Sequence, residues 1–293
     1  MLVLAACLLA TGAQAAVGDK LSLSGYTQTF DSNFSADPNG SQPNPKRWAT
    51  EYYFGRHIIG ERESYEDSGS CPSRTPFWVG NGLLQITAFA ADAWGLAHCL
   101  GNPGGKAPAA GASGAPTYIS GLVTTQHSFS QTYGYFELDG WSPAEVPGEW
   151  PAFWLIPTVQ TKANMGQCPE FDVMERWGGR APAVPASRWS SIFQTLHECP
   201  LTTGGAEAAI GDGAKPPQVA PAGEHRYGLL WTPGKLAWFV DGVETFETPF
   251  ANADPHYMIA NLALDGRYPP PAGPVRFYVK WIKAWAPPAA LAH

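Results

Sequence analysis

Three carboxylic acids, Glu170, Asp172 and Glu175, stand close together in the sequence, and their spacing could support acid/base chemistry. Bulky apolar residues separate them, and only Arg176 lies nearby to balance their charge. Side chains of a regular β-strand alternate between its two faces, so Glu170 and Asp172 would share one face while Glu175 pointed into the apolar side. A single-residue bulge after Val173 would return Glu175 to the face of the other two acids.

A row of three acids on one strand face is unfavourable for stability, because neighbouring like charges repel one another. Such a row is useful where one carboxyl must be ionised and another protonated at the same pH, as glycoside hydrolysis requires. In the retaining mechanism, one carboxylate attacks the anomeric carbon and a second, roughly 5 to 5.5 Å away, protonates the departing oxygen. Glu170 and Glu175 fit these roles, and Asp172 would influence which carboxyl keeps the proton. On spacing alone, a solvated acidic strand face explains the pattern equally well.

Aromatic residues flank the three acids in the sequence. Trp150 and Trp154 lie four residues apart before them, and Trp177 follows them. Flat aromatic faces stack on sugar rings, so tryptophans beside paired carboxylates indicate a saccharide groove. The alternative is that such large residues fill the core, which is our interpretation for Phe153 and Leu155. We assign the three tryptophans to substrate binding.

The elements that must position these residues are predicted to be β-strands, since almost no segment has helical periodicity. Seven segments rich in β-branched and aromatic residues are predicted as strands: 82–90, 134–141, 190–197, 226–232, 235–241, 257–264 and 275–285. Pro233-Gly234 and Asp241-Gly242 are turn signals, and the second predicts a hairpin. The sequence therefore predicts an all-β sandwich of two antiparallel sheets.

Long loops are predicted to interrupt the sandwich. Three segments rich in small residues, 101–116, 178–187 and 202–223, are predicted as flexible surface loops. The strands on either side of them do not change in character. We therefore predict one catalytic domain over 17–293, with its core over about residues 30–285.

Composition and charge argue against one class of partner. Charged residues make up 15% of the chain, the formal net charge is -7, and the pI is near 5.5. No cluster of Lys and Arg is available to release counterions from a phosphate backbone, so nucleic acid is not an expected ligand.

The first residues predict export. Residues 1–16 form an apolar run that is too short to span a bilayer and ends in the small-residue pattern Ala13-Gln14-Ala15, as in a cleaved signal peptide. It lacks a basic first region, and Cys7 offers a lipoprotein site as the alternative. We expect a secreted or periplasmic protein that is monomeric and not membrane-bound after signal cleavage.

Export gives meaning to four cysteines, Cys71, Cys99, Cys168 and Cys199, because disulfides persist in oxidising compartments. Three pairings are possible, and we favour Cys71 with Cys99 and Cys168 with Cys199, each closing a loop of about thirty residues. The alternative is four buried thiols. No spacing of cysteine and histidine indicates a zinc site.

The chain resembles glycoside hydrolase family 16 over almost all of the predicted mature sequence. "GEWPAFWLIP" (148–157) followed by "EFDVMERWGG" (170–179) is similar to the W-P-A-F-W strand and the E-x-D-x-x-E motif of that family. Further similar segments are "ERESY" (61–65), "NGLLQITA" (81–88), "SGLVTT" (120–125), "YGYFE" (133–137), "TLH" (195–197), "HRYGLLWTPGKLAWFVDG" (225–242) and "IANLALDG" (259–266).

This resemblance implies a β-jelly roll whose concave sheet forms an open groove for a polysaccharide, and it implies no cofactor. Glu170 matches the nucleophile, Asp172 its hydrogen-bonding helper and Glu175 the general acid/base. The spacing of the motif is that of the laminarinase, agarase and carrageenase-like branches. His197 matches a family histidine near the cleavage point, and a strand histidine bonded to the backbone is an equally good explanation.

Two departures from the family pattern affect what the resemblance implies. Tyr135 and Leu138 stand where many members carry arginines, so those sugar contacts are not carried over. Members often bind a structural calcium through an acid near the first strand and an Asp in the last strand, where this chain offers Asn33 and Lys280. A cation beside a calcium ion is unfavourable, so we predict no metal.

The function predicted is a retaining endo-glycosidase that hydrolyses internal β-linked bonds of a polysaccharide, with β-1,3-glucan as the first candidate. A depolymerase of a bacterial exopolysaccharide such as succinoglycan, a transglycosylase and a non-catalytic glucan-binding protein on the same fold are the alternatives. The presence of all three acids argues against the last. Other hydrolase classes have no support, because the sequence has no G-x-S-x-G, H-E-x-x-H or P-loop motif.

Overall fold

A computed structural model describes residues 18–40, 42–58, 60–72, 74–91, 99, 116–142, 146–159, 169–178, 192–198, 207–210 and 223–291. Its strands are β1 (Thr27–Ser32), β2 (Glu63–Tyr65), β3 (Phe77–Gly80), β4 (Leu83–Ala90), β5 (Tyr118–Ser120), β6 (Leu122–Thr124), β7 (Gly134–Trp141), β8 (Glu149–Pro157), β9 (Glu170–Arg176), β10 (Ile192–His197), β11 (Glu207–Ile210), β12 (His225–Thr232), β13 (Gly234–Val240), β14 (Val243–Phe250), β15 (His256–Leu264) and β16 (Val275–Ala286). A single 3₁₀ turn spans Ala289–Leu291. Within these ranges no helix has the length and apolar character needed to cross a membrane.

The strands form two sheets. The larger has ten strands in the order β14-β13-β12-β7-β16-β4-β5-β2, with β1 paired to β16 and β3 paired to β4. The smaller has six strands in the order β11-β10-β9-β8-β15-β6. Neighbouring strands are antiparallel except for β2 and β5, which are parallel. The predicted all-β sandwich is confirmed.

The main core lies between the two sheets and follows from the alternation along each strand. In β8, Phe153 and Leu155 point into it, as predicted, and Phe171 and Val173 do so from β9. The larger sheet contributes a facing set of buried side chains: Leu84, Ile86, Phe136, Leu138, Leu229, Trp231, Leu236, Trp238, Phe277, Val279 and Ile282. Burying each such side chain contributes roughly 1.5–3 kcal/mol, so this layer holds the smaller sheet in a fixed position.

The strongest turn signals gave the correct connections. Asp241 and Gly242 have φ angles of 52° and 78°, the left-handed conformation that a two-residue hairpin loop needs, and they join β13 to β14. The Pro233-Gly234 turn joins β12 to β13. The predicted hairpin at Asp241-Gly242 and the predicted turn at Pro233-Gly234 are therefore confirmed.

One loop prediction was wrong in part. The segment 202–223 contains β11, which pairs antiparallel with β10 from Ile192 opposite Ile210 to Thr195 opposite Glu207. Its sequence, EAAI, is short and rich in Ala, so it gives no strand pattern, and the hydrogen bonds offered by β10 determine its conformation. The predicted loop residues 101–115 and 179–187 and the predicted signal segment 1–16 lie outside the described residues. The single-domain boundary remains a prediction.

Cys71 and Cys99 form a disulfide across 28 residues, as predicted. Both are fully buried and pack with Phe89 and Ile119. Cys168 and Cys199 lie outside the described residues, so their pairing remains a prediction.

Candidate active site

β9 carries the three acids, and its register breaks at the predicted position. Asp172 lies opposite Thr195 of β10 and Glu175 lies opposite Phe193, so three steps along β9 match two along β10. The pairing with β8 shifts at the same place. An extra residue on one strand is the definition of a β-bulge, so the predicted bulge is present.

The bulge divides the side chains of β9 between the core and the groove. Phe171, Val173 and Met174 all point into the main core, so two consecutive residues share the inner face. Glu175 is thereby returned to the outer face of the smaller sheet, where it lines the same cavity as Glu170 and Asp172.

A buried tryptophan of the larger sheet fixes the bulge. Trp238 of β13 is fully buried and donates a hydrogen bond from Nε1 to the backbone oxygen of Asp172 over 2.7 Å. A bulge disrupts the ladder between strands, and a carbonyl buried without a partner is costly. The indole of Trp238 supplies that partner from across the core.

The acids face a cavity of about 180 Å³ on the smaller sheet. Its lining residues are Tyr52, Ile58, Glu61, Trp150, Ala152, Trp154, Glu170, Asp172, Glu175, Asn261 and Ala263. They come from β8, β9, β15 and the segment before β2, so the cavity crosses the strands of the sheet. Two of the predicted substrate-binding tryptophans, Trp150 and Trp154, are among them.

His197 stands at the β10 side of the acids. Its Nε2 lies 2.9 Å from Oδ2 of Asp172 and 4.0 Å from Oε1 of Glu170, and it is opposite Glu170 in the strand pairing. The sequence left two interpretations of His197 open: a histidine near the cleavage point, or a strand histidine bonded to the backbone. The contact with Asp172 favours a role in the site over a purely backbone-bonded role.

The electrostatic environment of Glu170 favours its protonated form. Burial raises its pKa well above the usual 4.5, and the charges of Asp172 and Glu175 raise it further. Three carboxyls held this close therefore retain a proton to a higher pH than an isolated glutamate would. Such a shared proton is what a site with an acid and a nucleophile needs.

Two tryptophans hold Glu175 at the other end of the row. Trp150 donates a hydrogen bond from Nε1 to Oε1 of Glu175 over 2.8 Å. Trp177 packs against Trp150, with ring centroids 5.0 Å apart, and meets Phe193 edge to face at 4.9 Å. Trp177 is half-buried and, among the described residues, is not one of those that line the cavity. It supports Trp150 from the side.

A chain of hydrogen bonds runs beneath the cavity, away from the acids. Trp154 donates from Nε1 to Oδ1 of Asn261 (2.8 Å), and Asn261 donates from Nδ2 to the hydroxyl of Tyr65 (3.0 Å). Tyr65 in turn donates to Oε2 of Glu61 over 3.0 Å. Trp154 is buried, so this chain fixes the orientation of a ring that presents only part of its surface to the cavity.

Glu61 belongs to a second pair of carboxyls. Its partner Glu63 is fully buried and accepts a hydrogen bond from the backbone N–H of Leu264 (2.9 Å). Burial raises the pKa of Glu61 well above its usual value, and the charge of Glu63 adds to the shift. Glu61 therefore keeps its proton to a higher pH than an isolated glutamate would.

Sequence reasoning missed three cavity residues that carry polar groups: Tyr52, Glu61 and Asn261. Two of them stand in segments that carry the family resemblance, "ERESY" and "IANLALDG". Neither segment suggested a role, because a pair of acids in one and an Asn among apolar residues in the other do not indicate where the side chains converge.

Arg176 does not balance the acidic row. It points to the opposite side of β9, where Nη1 pairs with Oε1 of Glu149 at 3.0 Å, and both side chains are almost fully buried. Gly178 is required beside this pair, because a Cβ there would overlap Cγ of Glu149 and lie 2.5 Å from the oxygen of Val146. Arg176 therefore does not neutralise the negative charge of the acids in the cavity.

Two places bear on metal binding. Ligand atoms of Glu170, Asp172 and His197 lie within 4.8 Å of one another, a spacing that the roles predicted for these residues in hydrolysis would also bring about. Of the two residues that the resemblance aligns with calcium ligands, Asn33 accepts hydrogen bonds from Ser35 and Lys280 pairs with Glu224 at 2.6 Å. An ammonium group does not fit a calcium ligand set, and the absence of a metal remains a prediction.

A family profile and several curated relatives match this chain. The profile described as "Glycosyl hydrolases family 16" matches residues 112–264. "Endo-1,3-1,4-beta-glycanase EglC" of Rhizobium meliloti (strain 1021) is 32% identical over 278 residues, which cover 89% of this chain and 52% of the relative. "Endo-1,3-1,4-beta-glycanase ExsH" of the same organism is 34% identical over 224 residues, which cover 75% and 41%. The chain spans about half the length of these relatives.

Solved structures share the fold at lower identity. The laminarinase from Rhodothermus marinus superimposes with a TM-score of 0.65 at 23% identity, covering 89% of this chain and 97% of that chain. The laminarinase catalytic domain from Thermotoga petrophila RKU-1 gives a TM-score of 0.64 at 21% identity, covering 92% and 99%. These likenesses show the same two-sheet architecture.

Proposed function

Since the chain belongs to glycosyl hydrolase family 16, we propose that it is a retaining endo-glycosidase that cleaves internal bonds of a β-linked glucan. The observation that carries the proposal is the convergence of Glu170, Asp172 and Glu175 on one cavity through the bulge of β9. A solvated acidic strand face would not need a bulge to bring the third acid back.

In the first step, the ionised carboxylate of Glu170 attacks the anomeric carbon while the carboxylic acid of Glu175 protonates the departing glycosidic oxygen. The C–O bond to the leaving sugar breaks as the bond to Glu170 forms. In the second step, the carboxylate of Glu175 takes a proton from water, which attacks the anomeric carbon and releases Glu170. The two inversions together retain the configuration of the sugar.

The neighbours of the two glutamates support these roles. Trp150 donates to Oε1 of Glu175 and so fixes the orientation of the carboxyl that transfers the proton. Asp172 and His197 stand next to Glu170 and hold its carboxyl in position. Asp172 and His197 act on the reaction through Glu170, so we assign both as positioning residues.

The substrate proposed is a glucan with β-1,3 linkages. Two observations support it: the names of the relatives, which are endo-1,3-1,4-beta-glycanases, and a cavity that crosses the strands and so accepts the middle of a chain. An internal cleavage site needs such an open groove.

We also propose that the protein acts outside the cytoplasm. The Cys71–Cys99 disulfide supports this location, since structural disulfides persist in oxidising compartments. The apolar first sixteen residues of the sequence support it further.

The proposal is tested by reducing-end release from laminarin, mixed-linkage glucan, agarose, carrageenan and succinoglycan. We expect the wild type to act on laminarin and Glu170→Gln to be inactive, because the amide cannot attack the anomeric carbon. Glu224→Gln is the matched control, since it removes an exposed carboxylate paired with Lys280 on the other sheet and should leave the rate unchanged.

Azide separates the roles of the two glutamates. Glu175→Ala should lose roughly 10²- to 10⁴-fold in rate. On an aryl β-glycoside, whose leaving group departs without protonation, azide should restore the rate, because it attacks the glycosyl-enzyme without a general base and gives a β-glycosyl azide. Recovery of Glu170→Ala with the same β product would reverse the two assignments. Release by Glu170→Gln equal to that of the wild type would refute the proposed nucleophile.

A further inference from the structure

A tight turn places two aromatic rings in solvent beside the cavity. Tyr52 and Gly55 exchange both backbone hydrogen bonds at 3.1 Å, so Tyr53 and Phe54 form the two-residue tip of a small hairpin. Gly55 has a φ of 122°, which a residue with a side chain rarely adopts. The turn therefore projects two consecutive aromatic side chains from one rigid point.

The rings at this tip continue the aromatic surface of the cavity. Phe54 stacks on Tyr52 with centroids 4.9 Å apart and planes 12° from parallel, and Tyr53 meets Phe54 edge to face at 4.8 Å. Tyr52 lines the cavity and lies 5.8 Å from Trp154. Phe54 is 40% exposed and Tyr53 is 37% exposed, so the row runs from the cavity floor into solvent.

The position of the turn fits a chain that has left the catalytic acids. Ala49 forms an isolated β-bridge with Thr124 of β6, and Glu61 forms one with Asp265 just after β15. The segment from Ala49 to Glu61 therefore lies along the β6 edge of the smaller sheet. The acids are on β9, and β8 and β15 stand between. Three strand spacings, about 14 Å, separate the two places across the sheet.

Arg56, directly after the turn, holds it in place through its side-chain contacts. Its Nε pairs with Glu51 at 3.1 Å, and Nη2 pairs with Asp67 at 2.9 Å. Nη1 also donates to the backbone oxygen of Tyr65 over 2.9 Å. These contacts hold the turn in one geometry, so little conformational entropy would be lost when a ligand binds the rings.

We propose that Tyr53 and Phe54 form an aromatic shelf that binds a sugar residue of the substrate several units away from the bond that is cleaved. The inference rests on the proposed function for its substrate. Aromatic faces pack against the apolar C–H face of a pyranose ring while its hydroxyls remain in water. Single exposed apolar residues need no explanation, but a braced pair that stacks on a ring of the cavity wall does.

The test measures binding apart from turnover. Native gels that contain laminarin give the affinity of Glu170→Gln and of the same variant with Phe54→Ala. We expect Phe54→Ala to raise the dissociation constant about three- to tenfold, the contribution of one aromatic contact. Trp78→Ala is the matched control, since Trp78 is 38% exposed on the larger sheet and should not change the affinity. Phe54→Tyr keeps the ring and should bind as the parent does.

Chain length gives a second readout. With the wild-type acids, the ratio of kcat/KM for laminarin to kcat/KM for the shortest oligosaccharide cleaved should fall about three- to tenfold in Phe54→Ala. The proposed shelf is refuted if Phe54→Ala changes neither this ratio nor the retardation in the gel. It is also refuted if laminarin does not retard Glu170→Gln at all. If retardation depends on Phe54 while the wild type releases no reducing ends, the shelf stands and the proposed hydrolysis fails.

Discussion

At the scale of single residues, Glu170 faces two requirements that oppose each other. A nucleophile must be ionised, yet burial and the neighbouring carboxylates raise its pKa well above 4.5. Under the proposed mechanism, pH resolves the conflict: below its raised pKa Glu170 holds the proton and the enzyme should be inactive, and above it the carboxylate is available. The acid limb of the activity profile therefore reports the environment of this residue.

Asp172→Asn should move that acid limb to lower pH. Asp172 is the second cause of the raised pKa of Glu170, after burial, and the amide removes its charge, so Glu170 ionises at a lower pH. The rate at the optimum should fall as well, because a positioning contact is changed. The measurement is kcat/KM against pH, which reports the groups of the free enzyme.

The control for this profile is Glu224→Gln, which removes a carboxylate outside the cavity and should leave the limb in place. A limb that stays unchanged in Asp172→Asn, or moves to higher pH, would show that Asp172 does not raise the pKa of Glu170.

The acids and the bulge were predictable from sequence, whereas much of the cavity was not. A carboxylate at an inward position is costly enough that the spacing of Asp172 and Glu175 already required an extra residue. Tyr52, Glu61 and Asn261 meet only because β15 and the segment before β2 are brought together. Their convergence depends on long-range packing, which no local pattern contains.

At the scale of elements, the bulge of β9 depends on the opposite sheet. Asp172 presents its carboxyl to the cavity and its backbone oxygen to the core, where Trp238 binds it. One hydrogen bond therefore links the candidate active site to the core, so a change in the core should alter the positions of the acids.

Trp238→Phe should destabilise the fold and reduce activity together. The variant leaves the buried oxygen of Asp172 without its donor, a loss of about 1–3 kcal/mol, and frees the bulge that positions Glu175. Denaturant unfolding and kcat measure the two effects.

Trp231→Phe is the matched control, since Trp231 is also fully buried in the larger sheet and its Nε1 has no hydrogen-bond partner among the described residues. Equal losses in both variants would mean that ring volume, and not the hydrogen bond, supports the bulge.

The longer strands and both hairpins were predictable because they repeat an alternation over seven or more residues or carry a turn that needs positive φ. The strands β2, β5 and β6 have three residues each, which is too few for a period to be recognised. They exist because neighbouring strands offer hydrogen bonds, and β2 carries Glu63 and Tyr65 of the network beneath the cavity. The elements that sequence reasoning missed are thus part of what completes the site.

At the scale of the whole molecule, one buried histidine links stability to pH. His256 begins β15 and lies between two carbonyl oxygens, with Nδ1 2.7 Å from that of Asp254 and Nε2 3.0 Å from that of Pro169. Its ring stacks on Phe171 at 4.2 Å. Burial lowers its pKa from 6.5 to about 4, against the two hydrogen bonds, which act to raise it.

His256 should therefore weaken the fold as the pH falls from 6.5 to 4. The unfolded chain binds a proton at His256 below pH 6.5, whereas the native protein does so only near pH 4. Over this window the stability of the wild type relative to His256→Gln should fall by up to about 3 kcal/mol. Denaturant unfolding at several pH values measures the difference between the two variants.

The comparison with His256→Gln cancels the contributions of carboxyls with raised pKa values, among them Glu61, Glu170 and Glu244, which stabilise the fold at low pH and are the same in both proteins. Parallel stability curves for the two proteins would mean that His256 does not titrate differently in the folded and unfolded chains.

The order of strands in the two sheets sets when the molecule can fold. β15 lies between β8 and β6, and β16 lies between β7 and β4, so each sheet has an inner strand taken from residues 256–286. Until the ribosome has made this part of the chain, β8 and β7 lack a neighbour and the groove has no floor at Asn261. The three acids are synthesised some ninety residues before β15 is complete, and the smaller sheet cannot close during that interval. This order suits the export proposed above, since a translocation channel accepts a chain that has not yet folded.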